Sequence, residues 1–299
     1  MRIRRVYDLP TGYGGFILWL LGGPRLVPAV GYMGGKRTLA PDIGEALDVR
    51  PGLQLEEVVL ADAGCPGWVW PELLTVERAG RVAEVLRSWK DEGAVELWDR
   101  LAALPPAADP SERAAQVLWL QGRTASSTPL QWDGVRWVMA TGARGGGRRS
   151  KSYAVTQKAL VSRGTWRGGR SSGLQKTASV ADRIEAIARA LARHHVRFHH
   201  GDLFDVIPDD AGPGDLFYFD PDYVGCTSYG ATVPRDRLLA VAEDLRQRGA
   251  TVAISEAVPL FEGCAGWYPI ELTRPDGKPE WLTLSRVPAR RQALLGWAA

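Results

Sequence analysis

The stretch Leu216-Phe217-Tyr218-Phe219-Asp220-Pro221-Asp222-Tyr223 decides the fold. Four large apolar residues in succession read as a strand buried on both faces, as in parallel sheets. An acid and a proline, which cannot extend a hydrogen-bond ladder, end the strand abruptly. Working outward, the chain alternates between elements. A helix is predicted over 234–249 and a strand over 251–255, while upstream 196–200 reads as a strand running into Gly201-Asp202. Earlier still, Glu57-Val58-Val59-Leu60-Ala61-Asp62 is a short apolar run that closes on an acid before Gly64 and Gly67, and it reads as the first strand of a nucleotide-binding half. The expected class is therefore α/β, with a Rossmann-like sheet and helices on both faces.

Between these strands the helical spacing is equally clear. Leu39, Ile43 and Leu47 mark one amphipathic helix, opened by Gly34 and Gly35. Val82, Val85, Leu86, Trp89, Val95, Leu97, Trp98 and Leu101 mark two more on either side of Gly93. Further helices are expected over 111–122 and 182–194, and strands over 267–272 and 280–286 form an antiparallel pair at the sheet edge. No apolar stretch reaches the roughly 18 residues of a membrane span, and no signal peptide is read. Three cysteines without paired spacing, Cys65, Cys226 and Cys264, suggest neither disulfides nor a zinc site, and a reducing cytoplasm is expected. His194, His195, His199 and His200 invite a metal reading, but adjacent strand residues face opposite sides, so no metal is expected.

Charge is distributed unevenly. Residues 134–181 contain no Asp or Glu but ten cations, against a net +3 for the 299 residues, so the rest of the chain is net negative. Arg144, Arg148, Arg149, Lys151, Arg163, Arg167 and Arg170 lie in this stretch among glycines too frequent for regular structure. Cationic loops of this kind meet nucleic-acid phosphates, with Tyr153 and Trp166 as candidate stacking rings. The organisation expected is a main domain of 1–125 and 182–299 with a basic target-recognition insert over 126–181.

The tetrapeptide Asp220-Pro221-Asp222-Tyr223 has a chemical use. An exocyclic amine on a flipped nucleobase needs a hydrogen-bond acceptor, a rigid carbonyl beside it and a flat ring to replace lost stacking. Asp220, the Pro221 carbonyl and Tyr223 offer these in order. The plainer alternative is that Asp220 caps a turn and Tyr223 packs.

At this point the chain resembles the Dam-type N6-adenine DNA methyltransferases, whose tetrapeptide is Asp-Pro-Pro-Tyr, and in particular their phage and prophage members of about this length. Tyr32-Met33-Gly34-Gly35-Lys36 is similar to the family's amino-terminal Gly-Gly-Lys element, and Gly201-Asp202-Leu203-Phe204 to its Gly-Asp-Phe element. Ile254-Ser255-Glu256 falls where a strand ending in Ser-Asn is usual, and the acid-free segment lies where the family inserts its DNA-recognition region.

The resemblance implies a methyltransferase sheet using S-adenosylmethionine, with Tyr32, Gly34, Gly35, Lys36, Asp62, Gly64, Asp202 and Asp220 near the cofactor. It implies Asp220, Pro221, Asp222 and Tyr223 as the catalytic group, Tyr229 on a loop that closes over the base, and double-stranded DNA as partner to the basic insert. It further implies action in the cytoplasm of a bacterial host, transferring a methyl group to the N6 amine of a flipped adenine; no oligomer is evident from the sequence, and a monomer is expected. Two departures stand out. The family's Glu-Pro-Phe-x-Gly strand is Ala61-Asp62-Ala63-Gly64-Cys65-Pro66-Gly67 here, and its second catalytic proline is Asp222. They keep two other possibilities in view: a phage hypermodification enzyme acting on another or pre-modified base, and an inactive DNA-binding relative. Without the family, Gly34-Gly35-Lys36 is a helix start with a surface charge, and Gly201-Asp202 a strand-end turn.

Overall fold

The computed structural model describes residues 3–30, 36–89, 94–123, 130–139, 177–223, 233–274, 277 and 279–288. Seven strands form one sheet: β1 (Arg5–Leu9), β2 (Glu57–Asp62), β5 (Val196–His200), β6 (Asp215–Phe219), β7 (Thr251–Glu256), β8 (Tyr268–Thr273) and β9 (Pro279–Leu284). A hairpin of β3 (Leu130–Trp132) and β4 (Trp137–Met139) stands apart from it. The helices are α1 (Gly15–Gly22), α2 (Ala40–Leu47), α3 (Pro66–Leu73), α4 (Val76–Ser88), α5 (Ala94–Ala103), α6 (Pro110–Gln121), α7 (Thr177–Leu191) and α8 (Arg235–Gln247). Short side-chain caps start two of them: Thr75 accepts from the Arg78 amide at 3.3 Å, and Asp109, followed by Pro110, accepts from Glu112 at 2.9 Å.

The sheet order is β5-β2-β1-β6-β7-β9-β8. The first five strands are parallel, and β9 runs antiparallel to both β7 and β8. The chain therefore winds from β1 outward through β2 to β5, returns to β6 on the other side of β1, and continues to β7. This is the doubly wound Rossmann-like pattern, and its reversal point lies between β1 and β6. The strand expected to come first, Glu57–Asp62, is the second in the sheet. Arg5–Leu9 is the first and pairs on both sides, Arg5 with Glu57 and Asp215 and Leu9 with Phe219. The closing pair is antiparallel as read from sequence, but its later strand lies inside the earlier one.

Alternation along the strands supplies two cores. Val6, Leu60, Leu216 and Tyr218 face one side, where they join residues of α1, α3, α4, α6 and α7. Tyr7, Leu9, Phe217, Phe219, Val252 and Ile254 face the other, against Leu238, Ala242 and Leu245 of α8. Tyr7 and Phe217 stack there with ring centroids 4.2 Å apart. Many tryptophans serve as anchors: Trp70 and Trp119 are almost fully buried, and truncating such a side chain costs about 3–5 kcal/mol.

At the strands' amino ends, Arg5 grips the fully buried Asp215 through two bonds of 2.7 Å and so clamps β1 to β6. Leu130 and Trp137 of the hairpin are buried in the first core, and Trp137 meets Trp68 edge-on at 5.7 Å. Of the stretch 126–181, residues 130–139 and 177–181 thus pack into the same body. No helix among the described residues is long and apolar enough to cross a membrane.

Candidate active site at the strand reversal

Where neighbouring strands lead their connections in opposite directions, a crevice opens beyond their carboxyl ends. Here it lies between the loops after β1 and β6. The β1 loop runs Pro10-Thr11-Gly12-Tyr13-Gly14 and opens α1 at Gly15. Thr11 fixes it to both strands beside it: its hydroxyl donates to the Asp8 carbonyl at 2.6 Å and accepts from the Ala61 amide at 3.1 Å. Trp70 donates through Nε1 to the Gly12 carbonyl at 2.7 Å. Gly14 has φ 78°, and a Cβ there would lie 2.7 Å from the Trp70 ring, so both conformation and space require glycine.

Two acids serve this loop. Asp62, ending β2, accepts from the Gly12 amide at 2.9 Å and the Gly64 amide at 2.7 Å. Burial pushes its carboxyl up to about 6, against the pull of those two amides. Asp8 on β1 is only 2% exposed, accepts from the Ile17 amide in the first turn of α1, and leaves Oδ2 without a hydrogen bond. Burial and then the nearby Asp220 hold it well above the usual carboxylate range.

The β6 loop forms the other wall. The Asp220 amide donates to the Leu9 carbonyl at 3.0 Å, which fastens this loop to the end of β1. Lys36 begins a short 3-10 turn (Lys36–Thr38) between α1 and α2, and its ammonium donates to Asp220 Oδ1 at 2.6 Å. The same ammonium lies 3.2 Å from Glu280 Oε1 and 4.8 Å from the centroid of the Tyr223 ring. Gly15 makes this placement possible, because a Cβ there would stand 2.7 Å from the backbone nitrogens of Lys36 and Arg37.

Tyr223 donates its hydroxyl to Glu280 Oε1. Burial, with the nearby Asp220 and Glu280, holds that phenol far above its usual range. Arg235, at the start of α8, donates to the Asp222 carbonyl at 3.0 Å and pairs with the fully buried Glu256. Glu256 also accepts from the Ala257 amide at 2.9 Å. Burial pushes Asp220 up to about 6; Lys36 pulls it down, and Glu280 and Glu256 raise it further. Its side chain keeps 20% of its surface exposed, so it is reachable from the crevice.

The residues expected from sequence fall into three groups. Lys36, Asp220, Pro221, Asp222 and Tyr223 meet at one place, and Asp62 and Gly64 adjoin them across the β1 loop. Asp202 follows β5 at the carboxyl end of that strand, where it caps the turn Leu203–Val206 through Phe204 at 3.0 Å and pairs with Arg237 at 2.7 Å. Tyr32, Gly34, Gly35, Tyr229, Cys226, Arg144, Arg148, Arg149, Lys151, Tyr153, Arg163, Trp166, Arg167 and Arg170 lie outside the described residues. Cys65 is buried and donates to the Leu130 carbonyl at 3.0 Å, and burial pushes its thiol up to about 12. No group of three or more His, Cys, Asp or Glu suited to a metal occurs among the described residues.

Sequence reasoning missed Asp8, Gly12, Gly14, Gly15, Arg235 and Glu280. The signal for the first four was present: Val6-Tyr7-Asp8-Leu9 is a short apolar run that ends in Pro10 and a glycine-rich turn before an apolar helix. Arg235 and Glu280 carry no local signal, and Glu280 reaches the crevice only through the sheet order. No protein-family model matches the chain, and no match was found among curated proteins.

Proposed function

We propose that the crevice binds S-adenosylmethionine against the β1 loop and directs its methyl group to the exocyclic amine of an adenine flipped out of DNA. One observation carries this reading: the reversal point joins a glycine-rich cofactor loop to the Asp220–Tyr223 loop, with Lys36 reaching between them. The residues fit this cofactor better than a nucleotide phosphate. A pyrophosphate would sit at the amino end of α1, yet Asp8 places its own carboxyl there and Asp62 takes the Gly12 amide. With the Asp62 carboxylate beside it, the loop suits a ligand carrying ammonium and sulfonium charge.

S-adenosylmethionine, when bound, supplies an electrophilic methyl group. Asp220 and the Pro221 carbonyl would accept hydrogen bonds from the two amine N–H groups and turn the nitrogen lone pair toward that methyl, and the one proton the methylated amine loses would pass to solvent. With its carboxyl held at about 6, Asp220 is ionised at neutral pH and stabilises the positive charge that develops on nitrogen. Lys36 fixes the Asp220 rotamer through its 2.6 Å bond. Tyr223 lies beside Lys36, whose ammonium is 4.8 Å from its ring centroid, and would supply the flat ring for the base. Asp222 stands where the family has its second proline, and Arg235 holds its backbone carbonyl at 3.0 Å.

Replacing Asp220 by Ala tests the assignment. Methyl transfer should fall at least about a thousandfold, the combined scale of an orienting and a charge-stabilising group, while DNA and cofactor affinities stay close to wild type. Equal loss of affinity and turnover would remove Asp220 from its catalytic role.

A further inference from the structure

Glu280 belongs to no motif, and it enters the crevice because β9 inserts antiparallel between β7 and β8, with Glu256 opposite Trp281. It is completely buried. A buried carboxylate persists only with partners, and the partners here are informative. Oε1 accepts from the Tyr223 hydroxyl and stands 3.2 Å from the ammonium of Lys36, which at the same time bonds to Asp220 at 2.6 Å. Oε2 lies 3.7 Å from Arg274 on the outer strand β8. One carboxylate thus touches the last side chain of the tetrapeptide and shares the cation that serves the first.

On the methyl-transfer reading above, we propose that Glu280 is a positioning residue for the reaction: it divides the charge of Lys36 between itself and Asp220 and holds Tyr223 in place beside them. It acts through these neighbours and need not touch the substrate. The groups that face Asp220 come from every adjoining element. Lys36 lowers its affinity for protons, whereas Glu280 and Glu256 raise it. Asp8 on β1 and Tyr218 on β6 lie close enough to couple electrostatically with it. Arg235 and Arg274 lie behind the two buried glutamates.

Glu280→Gln removes the charge and keeps the shape. Lys36 then serves Asp220 alone, so the acid limb of kcat/KM for methyl transfer should move down by about one pH unit, with DNA and cofactor affinities within twofold of wild type. Glu280→Asp keeps the charge but shortens the reach, so it should retain the acid limb and lose kcat. An acid limb unmoved in Glu280→Gln, or a defect confined to DNA affinity, overturns the proposal. If the amide variant does not fold, Glu280→Asp decides: wild-type kcat would be the contrary result. Failure of the methyl-transfer reading itself is distinguishable, because Asp220 can be titrated without turnover. Isotope-edited infrared spectra of 13C-aspartate protein, with Asp220→Asn as the subtracted reference, should show a lower midpoint in Glu280→Gln than in wild type. An unchanged midpoint overturns the role of Glu280 whatever the reaction proves to be.

Discussion

Gly15→Ala probes the link between fold and site with a single methyl group. The new Cβ would lie 2.7 Å from the backbone nitrogens of Lys36 and Arg37, where ordinary contact begins at 3.4 Å. The two backbones must therefore separate by about 0.7 Å, and overpacking of this kind costs about 1–3 kcal/mol. Gly15 is not among the positive-φ glycines, so the cost is steric and not conformational. The segment displaced carries Lys36, whose 2.6 Å bond to Asp220 cannot survive such a shift unchanged. Misplacement on the ångström scale lowers rates by about a hundredfold, and a loss of about 10- to 100-fold in methyl transfer is expected. The assay is urea unfolding followed by tryptophan fluorescence, alongside initial rates. With a slope of about 3 kcal/mol per M, the midpoint should fall by roughly 0.3–1 M. Gly80→Ala provides the control, because it lies inside α4 with nothing within 4 Å of the new Cβ. It should gain about 0.5–1 kcal/mol from helix propensity and leave the rate alone. A Gly15→Ala protein with wild-type midpoint and rate would refute the packing argument.

The pH profile follows from Asp220. On the proposed reading its ionised form accepts the amine hydrogen bond, so kcat/KM should rise through about pH 6 and level off above it, and a flat profile from pH 5 to 8 would count against the assignment. The same shift has a thermodynamic sign: with a folded value near 6 above the ordinary 3.8, the stability contributed by Asp220 is fully present below 3.8 and is lost as pH rises through about 6. Asp215→Ala leaves Arg5 without its buried partner at the base of β1, and chemical denaturation should register a loss of about 3–5 kcal/mol; a loss under 1 kcal/mol would show that the clamp is dispensable. Replacing Arg144, Arg148, Arg149 and Arg167 by Gln should reduce the slope of log affinity for DNA against log salt by about 0.9 per phosphate contact removed, and an unchanged slope would take those residues off the DNA.

The elements legible in the sequence were those with unambiguous boundaries. The run 216–219 ends in Asp220-Pro221, and 57–62, 196–200 and 251–255 are each bounded by polar turn residues, so all four were read as strands and are strands. Strand β1 escaped notice because it is five residues long, begins at Arg5 and contains Tyr7 and Asp8, polar groups that only its central place in the sheet buries. With β1 unseen, the glycine-rich turn after it had no strand to follow. The tetrapeptide and Lys36 could be matched as words, and the structure places them 2.6 Å apart across 184 residues. Glu280 and Arg235 could not be matched. Glu280 joins the site only because β9 lies inside β8, a choice of sheet order on which local patterning is silent.

The most direct test of the central claim is incubation of the purified protein with unmodified DNA and methyl-labelled S-adenosylmethionine, followed by mass analysis of the released nucleosides. The account predicts label in N6-methyladenine, lost in Asp220→Ala and retained in Gly80→Ala. Labelled DNA with no N6-methyladenine would contradict the assigned base, and bound cofactor with no transfer to DNA would contradict the assigned reaction.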